Sequence, residues 1–194
     1  MTRKEPYLNT SLGARLLRLA RETIGFRLGT TEIIDQAGLD GDSLKNSNGT
    51  FVTIKKQGKL RGCIGNLEPS GTILESVRRN ALSAAFNDYR FSPLQVDELA
   101  EITIDISILT LPARLSYQNG NDLIDKLQPG IDGVILQSGK ARATFLPQVW
   151  EQLPDPVQFL EHLCIKAGLS RTAWREHHPD IWIYQVQCFE EKTS

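Results

Sequence analysis

Ile102, Ile104, Ile106 and Ile108 alternate with Thr103, Asp105 and Ser107 in a two-residue rhythm. That rhythm predicts a strand over 101–109 with one face in a core. Upstream, Phe51, Val52, Thr53 and Ile54 are strong strand formers, and Gln57-Gly58 is a two-residue turn before Leu60 to Ile64. The run 49–65 therefore reads as an antiparallel hairpin. With that turn, Lys56 stands opposite Lys59, Ile54 opposite Arg61, and Val52 opposite Cys63. Arg61 and Cys63 then share one face, while Leu60, Gly62 and Ile64 share the other.

A different rhythm marks the helices. Leu12, Leu16, Leu19/Ala20 and Ile24 recur at helical spacing, and Asn9 or Thr10 can cap a helix running to about Phe26. A short helix is expected over 30–37. Residues 38–48 are rich in Gly, Asp, Asn and Ser, which is loop chemistry. Thr72 and Glu75 form a capping box that opens a helix over 73–86, with Ile73, Val77, Ala81 and Ala84/Ala85 inward. The second half repeats the plan at an offset of 81 residues: Ile54/Ile135, Gly58/Gly139, Lys59/Lys140 and Arg61/Arg142 coincide. A helix over 156–167, stopped by Gly168, and an alternating strand over 181–187 follow. The Gly-Cys-x-Gly of residues 62–65 has no counterpart, since Ala143, Thr144 and Leu146 stand in its place.

The run Leu-Arg-Gly-Cys-Ile-Gly at 60–65, with 49–56 before it and 80–94, 97–99, 104–109, 145–149 and 159–169 after it, resembles the AMMECR domain family, also called AmmeMemoRadiSam system protein A. The resemblance spans about 49–189, and 1–48 match only loosely. It implies one domain over 1–194 with repeats at about 49–112 and 131–190. The expected architecture is α+β: two β-β-α-β repeats forming one curved, barrel-like, mainly antiparallel sheet covered by helices, parted into two unequal lobes with a cleft. The resemblance also implies a pathway or complex with a dioxygenase-like Memo protein and a radical SAM enzyme.

Composition narrows the partners. Of 194 residues, 22 are Lys or Arg and 23 Asp or Glu, a net charge of −1. Bulk electrostatics thus speak against a nucleic-acid or anionic-membrane partner. No apolar run is long enough to span a membrane. Cys63, Cys164 and Cys188 are too few and too scattered for a disulfide framework, which favours a reducing cytosol. His162, His177 and His178 form no metal signature with them, and the glycines match no phosphate-loop or dinucleotide fingerprint, so no cofactor is expected.

The candidate chemistry centres on the hairpin. Cys63 is a candidate nucleophile, with a small buried hydrophobe as the bland alternative. Arg61 is a candidate clamp for a carboxylate or phosphate, or else the structural partner of Asp105. Gly62 and Gly65 beside a cysteine suggest close approach by something, and Asn66, which opens the loop expected over 66–71, is a further ligand-binding candidate. Asp88 and Arg90 either shape a cleft wall or satisfy a helix-end turn. Two functions follow: an enzyme or enzyme subunit acting on a small polar or anionic molecule in a cleft lined by 60–65, or a non-catalytic binding or scaffold module.

Overall fold

The structure, a computed structural model, describes residues 8–32, 35, 38–39 and 41–192. Of the short helix expected over 30–37, residues 33–34 and 36–37 lie outside the described residues, and 30–32 and 35 are not helical. Among the described residues the fold is mixed α+β, with two antiparallel four-stranded sheets and six helices. Two units are distinguished, Met1–Thr110 with Gln187–Ser194, and Leu111–Val186.

In the first unit, helix α1 (Thr10–Leu28) starts at Asn9, whose side chain accepts the Leu12 amide at 2.9 Å, and stops at Gly29 with φ 75°. A single turn, α2 (Asp42–Lys45), interrupts the expected loop at 38–48, anchored by buried Leu44. Strands β1 (Thr50–Lys56) and β2 (Lys59–Asn66) form the hairpin. Helix α3 (Ile73–Phe86) carries the capping box of Thr72 and Glu75, and β3 (Ile102–Leu109) follows. The four isoleucines of β3 and the apolar stripes of α1 and α3 make the core of this unit. Burying one such side chain contributes about 1.5–3 kcal/mol.

The hairpin register differs from expectation. Gln57 (φ 52°) and Gly58 (φ 74°) make the turn and Lys56 pairs with Lys59, but the ladder then shifts. Lys55 pairs with Leu60 and Ile54 with Gly62, so Arg61 is bulged out; beyond it Cys63 faces Thr53, not Val52. The reason is packing. A regular ladder would set Arg61 and Cys63 beside buried Ile54 and Val52; the bulge puts Gly62 and Ile64 there instead.

The second unit holds β4 (Ala113–Arg114), α4 (Gly120–Lys126), the hairpin β5 (Gly133–Ser138) and β6 (Ala141–Phe145), α5 (Pro156–Lys166), α6 (Ala173–Glu176) and β7 (Asp180–Tyr184). Its core stacks Trp150 on Phe159, with ring centroids 3.7 Å apart. The run expected as one strand over 181–187 breaks at Gln185, after which β8 (Val186–Glu190) begins. In place of one continuous sheet, the strand orders are β2-β1-β3-β8 and β6-β5-β7-β4. The two orders correspond strand for strand, yet the fourth strands are exchanged. The segment after β3 supplies the edge of the second sheet, and the segment after β7 supplies the edge of the first.

Two residues hold β8 to its unit. Glu191 accepts Arg21 Nε at 2.7 Å and Nη2 at 2.5 Å, and the Ile104 amide at 2.8 Å. Gln187 brackets the backbone of Leu8, accepting its N–H at 2.9 Å and donating to its carbonyl at 2.6 Å.

Candidate functional site

Among the described residues, strand β2 has a strand neighbour on one side only, so its outer edge offers backbone groups to any passing chain. Here that edge is occupied. The loop after α3 returns beside Cys63: Asp88 Oδ2 accepts the Cys63 amide at 2.8 Å, and Arg90 Nη2 donates to the Cys63 carbonyl at 3.2 Å. Asp88 also accepts from Arg90 Nε at 2.9 Å, Arg90 Nη2 at 2.7 Å and the Arg90 amide at 3.2 Å. The Arg90 guanidinium, with those two amides, holds the Asp88 carboxyl well below the usual carboxylate range despite its burial. The local turn expected for Asp88 and Arg90 is present, and a long-range brace is added to it.

Arg61 is consumed in a second brace. Its Nε and Nη2 form a two-pronged pair with Glu98 at 3.0 and 2.8 Å, and Nη1 donates to the Ser92 carbonyl at 2.9 Å. Both side chains are mostly buried, at 13% and 14% exposure. Arg61, aided by Lys56 and the Gln95 amide, brings the Glu98 carboxyl down to about 2. The pairing with Asp105 considered from sequence does not form, because Asp105 is ion-paired to Lys55 on the same sheet face. Nothing in the sequence pattern pairs Glu98 with Arg61, because it lies 37 residues away in a short helical turn over Val96–Glu98.

The two glycines are explained from inside the fold. A Cβ at Gly62 would lie 2.1 Å from the Ala84 carbonyl oxygen, so the end of α3 presses on this strand. One at Gly65 would lie 2.3 Å from the Phe51 ring. Close approach occurs, as expected, but by the protein's own helix and ring. Asn66 accepts from buried Asn80 Nδ2 at 3.4 Å and donates to the Glu68 carbonyl.

Cys63 is half-buried and its Sγ accepts from the Thr53 hydroxyl at 3.3 Å. All three cysteines are free. Cys188 is the exposed one, and Cys164 is buried, with its thiol pushed up by burial. A groove of about 980 Å³ in this unit lies elsewhere, lined by Leu17, Arg21, Ile102, Cys188 and Phe189 among others, and residues 60–65 are not on it. The residue that sequence reasoning missed is Tyr89. It sits between the two bracing residues and is 94% exposed.

The family model described as AMMECR1 matches residues 17–189. A protein of Thermofilum pendens is 36% identical over 96% of this chain and 92% of its own length, and one of Methanopyrus kandleri is 37% identical over 93% and 88%. The crystal structure of the uncharacterised protein PH0010 from Pyrococcus horikoshii superposes with a TM-score of 0.78 at 29% identity, covering 96% of this chain and 95% of that one.

Proposed function

The chain belongs to the AMMECR1 family, and from that premise we propose that it is a recognition module whose binding surface is the hexapeptide strand with the loop that braces it. One observation carries this reading. Tyr89 is 94% exposed, while its neighbours Asp88 and Arg90 are locked onto the Cys63 backbone. An aromatic side chain on a rigid support is what binding hot spots are made of, because little further ordering is needed on association. Catalysis is less well supported here, since Arg61, Asp88 and Asp105 each have a structural partner. The surface also lacks bulk charge to attract nucleic acid. The three free cysteines fit a reducing cytosol, and among the described residues no helix is long and apolar enough to cross a membrane.

The partners to test are those the family resemblance implies, a Memo-like protein and a radical SAM enzyme from the same genome. Purified components would be titrated by calorimetry. Binding by either one, weakened by about 2 kcal/mol in Tyr89→Ala at unchanged Tm, is the expected result. Failure of both to bind, or equal binding by the variant, overturns the proposal. The enzyme reading retains one specific feature, the half-buried Cys63 thiol beside the Thr53 hydroxyl. Turnover of a small molecule that is lost in Cys63→Ser at unchanged Tm would restore it.

A further inference from the structure

The Asp88–Arg90 brace fills only part of the β2 edge. Cys63 gives its amide to Asp88 and accepts Arg90 at its carbonyl, so both groups point away from β1. Along an antiparallel pair, residues that point outward alternate with residues that bond across the ladder. Gly65, which faces Phe51 two residues beyond the Cys63–Thr53 pair, therefore turns its N–H and C=O to the same outer side. Neither group has a hydrogen-bond partner among the described residues, and Gly65 is half-exposed. From Asp88 the loop runs the other way, to where Ser92 and Glu98 meet Arg61.

The bracing atoms are ordered along the strand. Asp88 Oδ2 stands at the Cys63 amide, and Arg90 Nη2 stands at the Cys63 carbonyl, one polar group nearer Gly65. Arg90 lies side-on to Asp88 through Nε and Nη2. Its remaining nitrogen, Nη1, is on the side away from Asp88 and donates to nothing among the described residues. The side chain is 43% exposed. The Asp88 charge is already met by four N–H groups, from Cys63 and Arg90. Beyond Cys63 the edge thus presents, in order, the Arg90 guanidinium, the Gly65 N–H and the Gly65 carbonyl.

A strand added antiparallel to β2 would give a carbonyl to the Gly65 N–H and an N–H to the Gly65 carbonyl, then head toward Cys63. There Asp88 and Arg90 already hold the backbone groups it would need. A chain that ends at Gly65 fits without displacing them. Its terminal carboxylate can accept the Gly65 N–H with one oxygen and Arg90 Nη1 with the other. A parallel strand would instead bring a terminal ammonium against the guanidinium. We propose that the Gly65 edge captures the free C-terminus of an extended peptide, which runs antiparallel to β2 and ends at Arg90. This inference rests on the recognition surface proposed above and names the part of the partner that enters it.

Random hexapeptides arrayed by N-terminal anchoring, which leaves each carboxylate free, test this beside a second array of the same sequences as C-terminal amides. The fluorescently labelled full chain should be retained on the first and bind at least about tenfold more weakly to the second. The strongest free-acid peptide is then titrated into isotope-labelled full chain by nuclear magnetic resonance. The Gly65 amide should move, and the Gly139 amide at the turn of the other hairpin should not. Arg90→Gln should lose the preference for free acids. That variant also loosens the brace, so the Gly65 resonance of the unmodified chain carries the decision. Retention of no peptide, equal retention of acids and amides, or a Gly65 amide that stays still overturns the inference. The recognition surface fails separately, by Tyr89→Ala with whole partners. A partner that needs Tyr89 yet binds equally well with two residues added to its C-terminus leaves the surface standing and removes the captured tail.

Discussion

The two hairpins are built to one plan and put to different uses. Each is followed by a helix and a third strand, and each lies at one edge of a four-stranded sheet. In β5–β6 the ladder is regular through Ser138 and Ala141, and the turn needs a positive φ only at Gly139. In β1–β2 the turn needs two, and the ladder bulges at Arg61. At the position matching Gly62 stands Ala143, and at that of Cys63 stands Thr144, whose carbonyl accepts Lys166 Nζ at 3.0 Å as that of Cys63 accepts Arg90. The difference lies in how closely the helix approaches. The Ala84 carbonyl leaves no room for a Cβ at residue 62, so the first hairpin trades a side chain for a bulge, and the bulge turns Arg61 toward Glu98. The hexapeptide is thus a packing solution first, and its rigidity is what a recognition surface can exploit.

The sharpest way to break this contrast is to give both hairpins the same residue. Gly62→Ala drives a Cβ into helix backbone and should cost about 3 kcal/mol, whereas Ala143→Gly removes one methyl and should cost about 1 kcal/mol. Urea unfolding of the two variants measures both. Near-equal costs would mean that α3 yields, and the contrast would fail.

A second comparison concerns the arginines. Arg61→Ala takes the two-pronged partner from a mostly buried carboxylate, leaving it Lys56 and the Gln95 amide, removes the Ser92 carbonyl's bond from Arg61, and should cost about 2–3 kcal/mol. Arg142→Ala, at an exposed position, should stay within about 0.5 kcal/mol. The Arg61 pair should also carry a pH signature. Glu98 moves from 4.5 to about 2 on folding, so its contribution is present above pH 4.5 and is lost as pH falls through about 2. That acid-side loss should be smaller in Arg61→Ala, where Lys56 and the Gln95 amide still bond Glu98. Coupling near zero in a cycle with Glu98→Gln would reduce the clamp to a surface contact.

The smallest effect concerns thiol access. Alkylation followed by mass spectrometry should label Cys188 first, Cys63 more slowly, and Cys164 only on unfolding, in line with their exposed, half-buried and buried positions. Cys63 labelled ahead of Cys188 would point back to an activated thiol.

What sequence revealed and what it hid divides by distance along the chain. The isoleucine rhythm of β3, the Thr72–Glu75 capping box, the Asn9 cap and the Gln57-Gly58 turn are written in neighbouring residues, and all are present. The bulge was illegible because its cause is Ala84, a residue of a later helix. Arg61 was given the wrong carboxylate for a similar reason: Asp105 shares a strand pattern with the hairpin, while Glu98 sits in a turn with no rhythm of its own. Tyr89 carries no pattern signal at all, since exposure is a property of the fold. The break at Gln185 was hidden by an alternation that continues across it although the pairing partner changes.

That exchange of edge strands sets a timetable for synthesis. The first unit is translated first, yet its sheet lacks β8 until after the 76 residues of Leu111–Val186 have been made. At ordinary translation speeds the delay is about 4–15 seconds. Throughout it the open side of β3 stays unpaired, and the Arg21 guanidinium waits for Glu191. The part of the protein that leaves the ribosome first is therefore among the last to be finished, and nascent chains stalled before residue 186 carry an unprotected strand edge into a crowded cell.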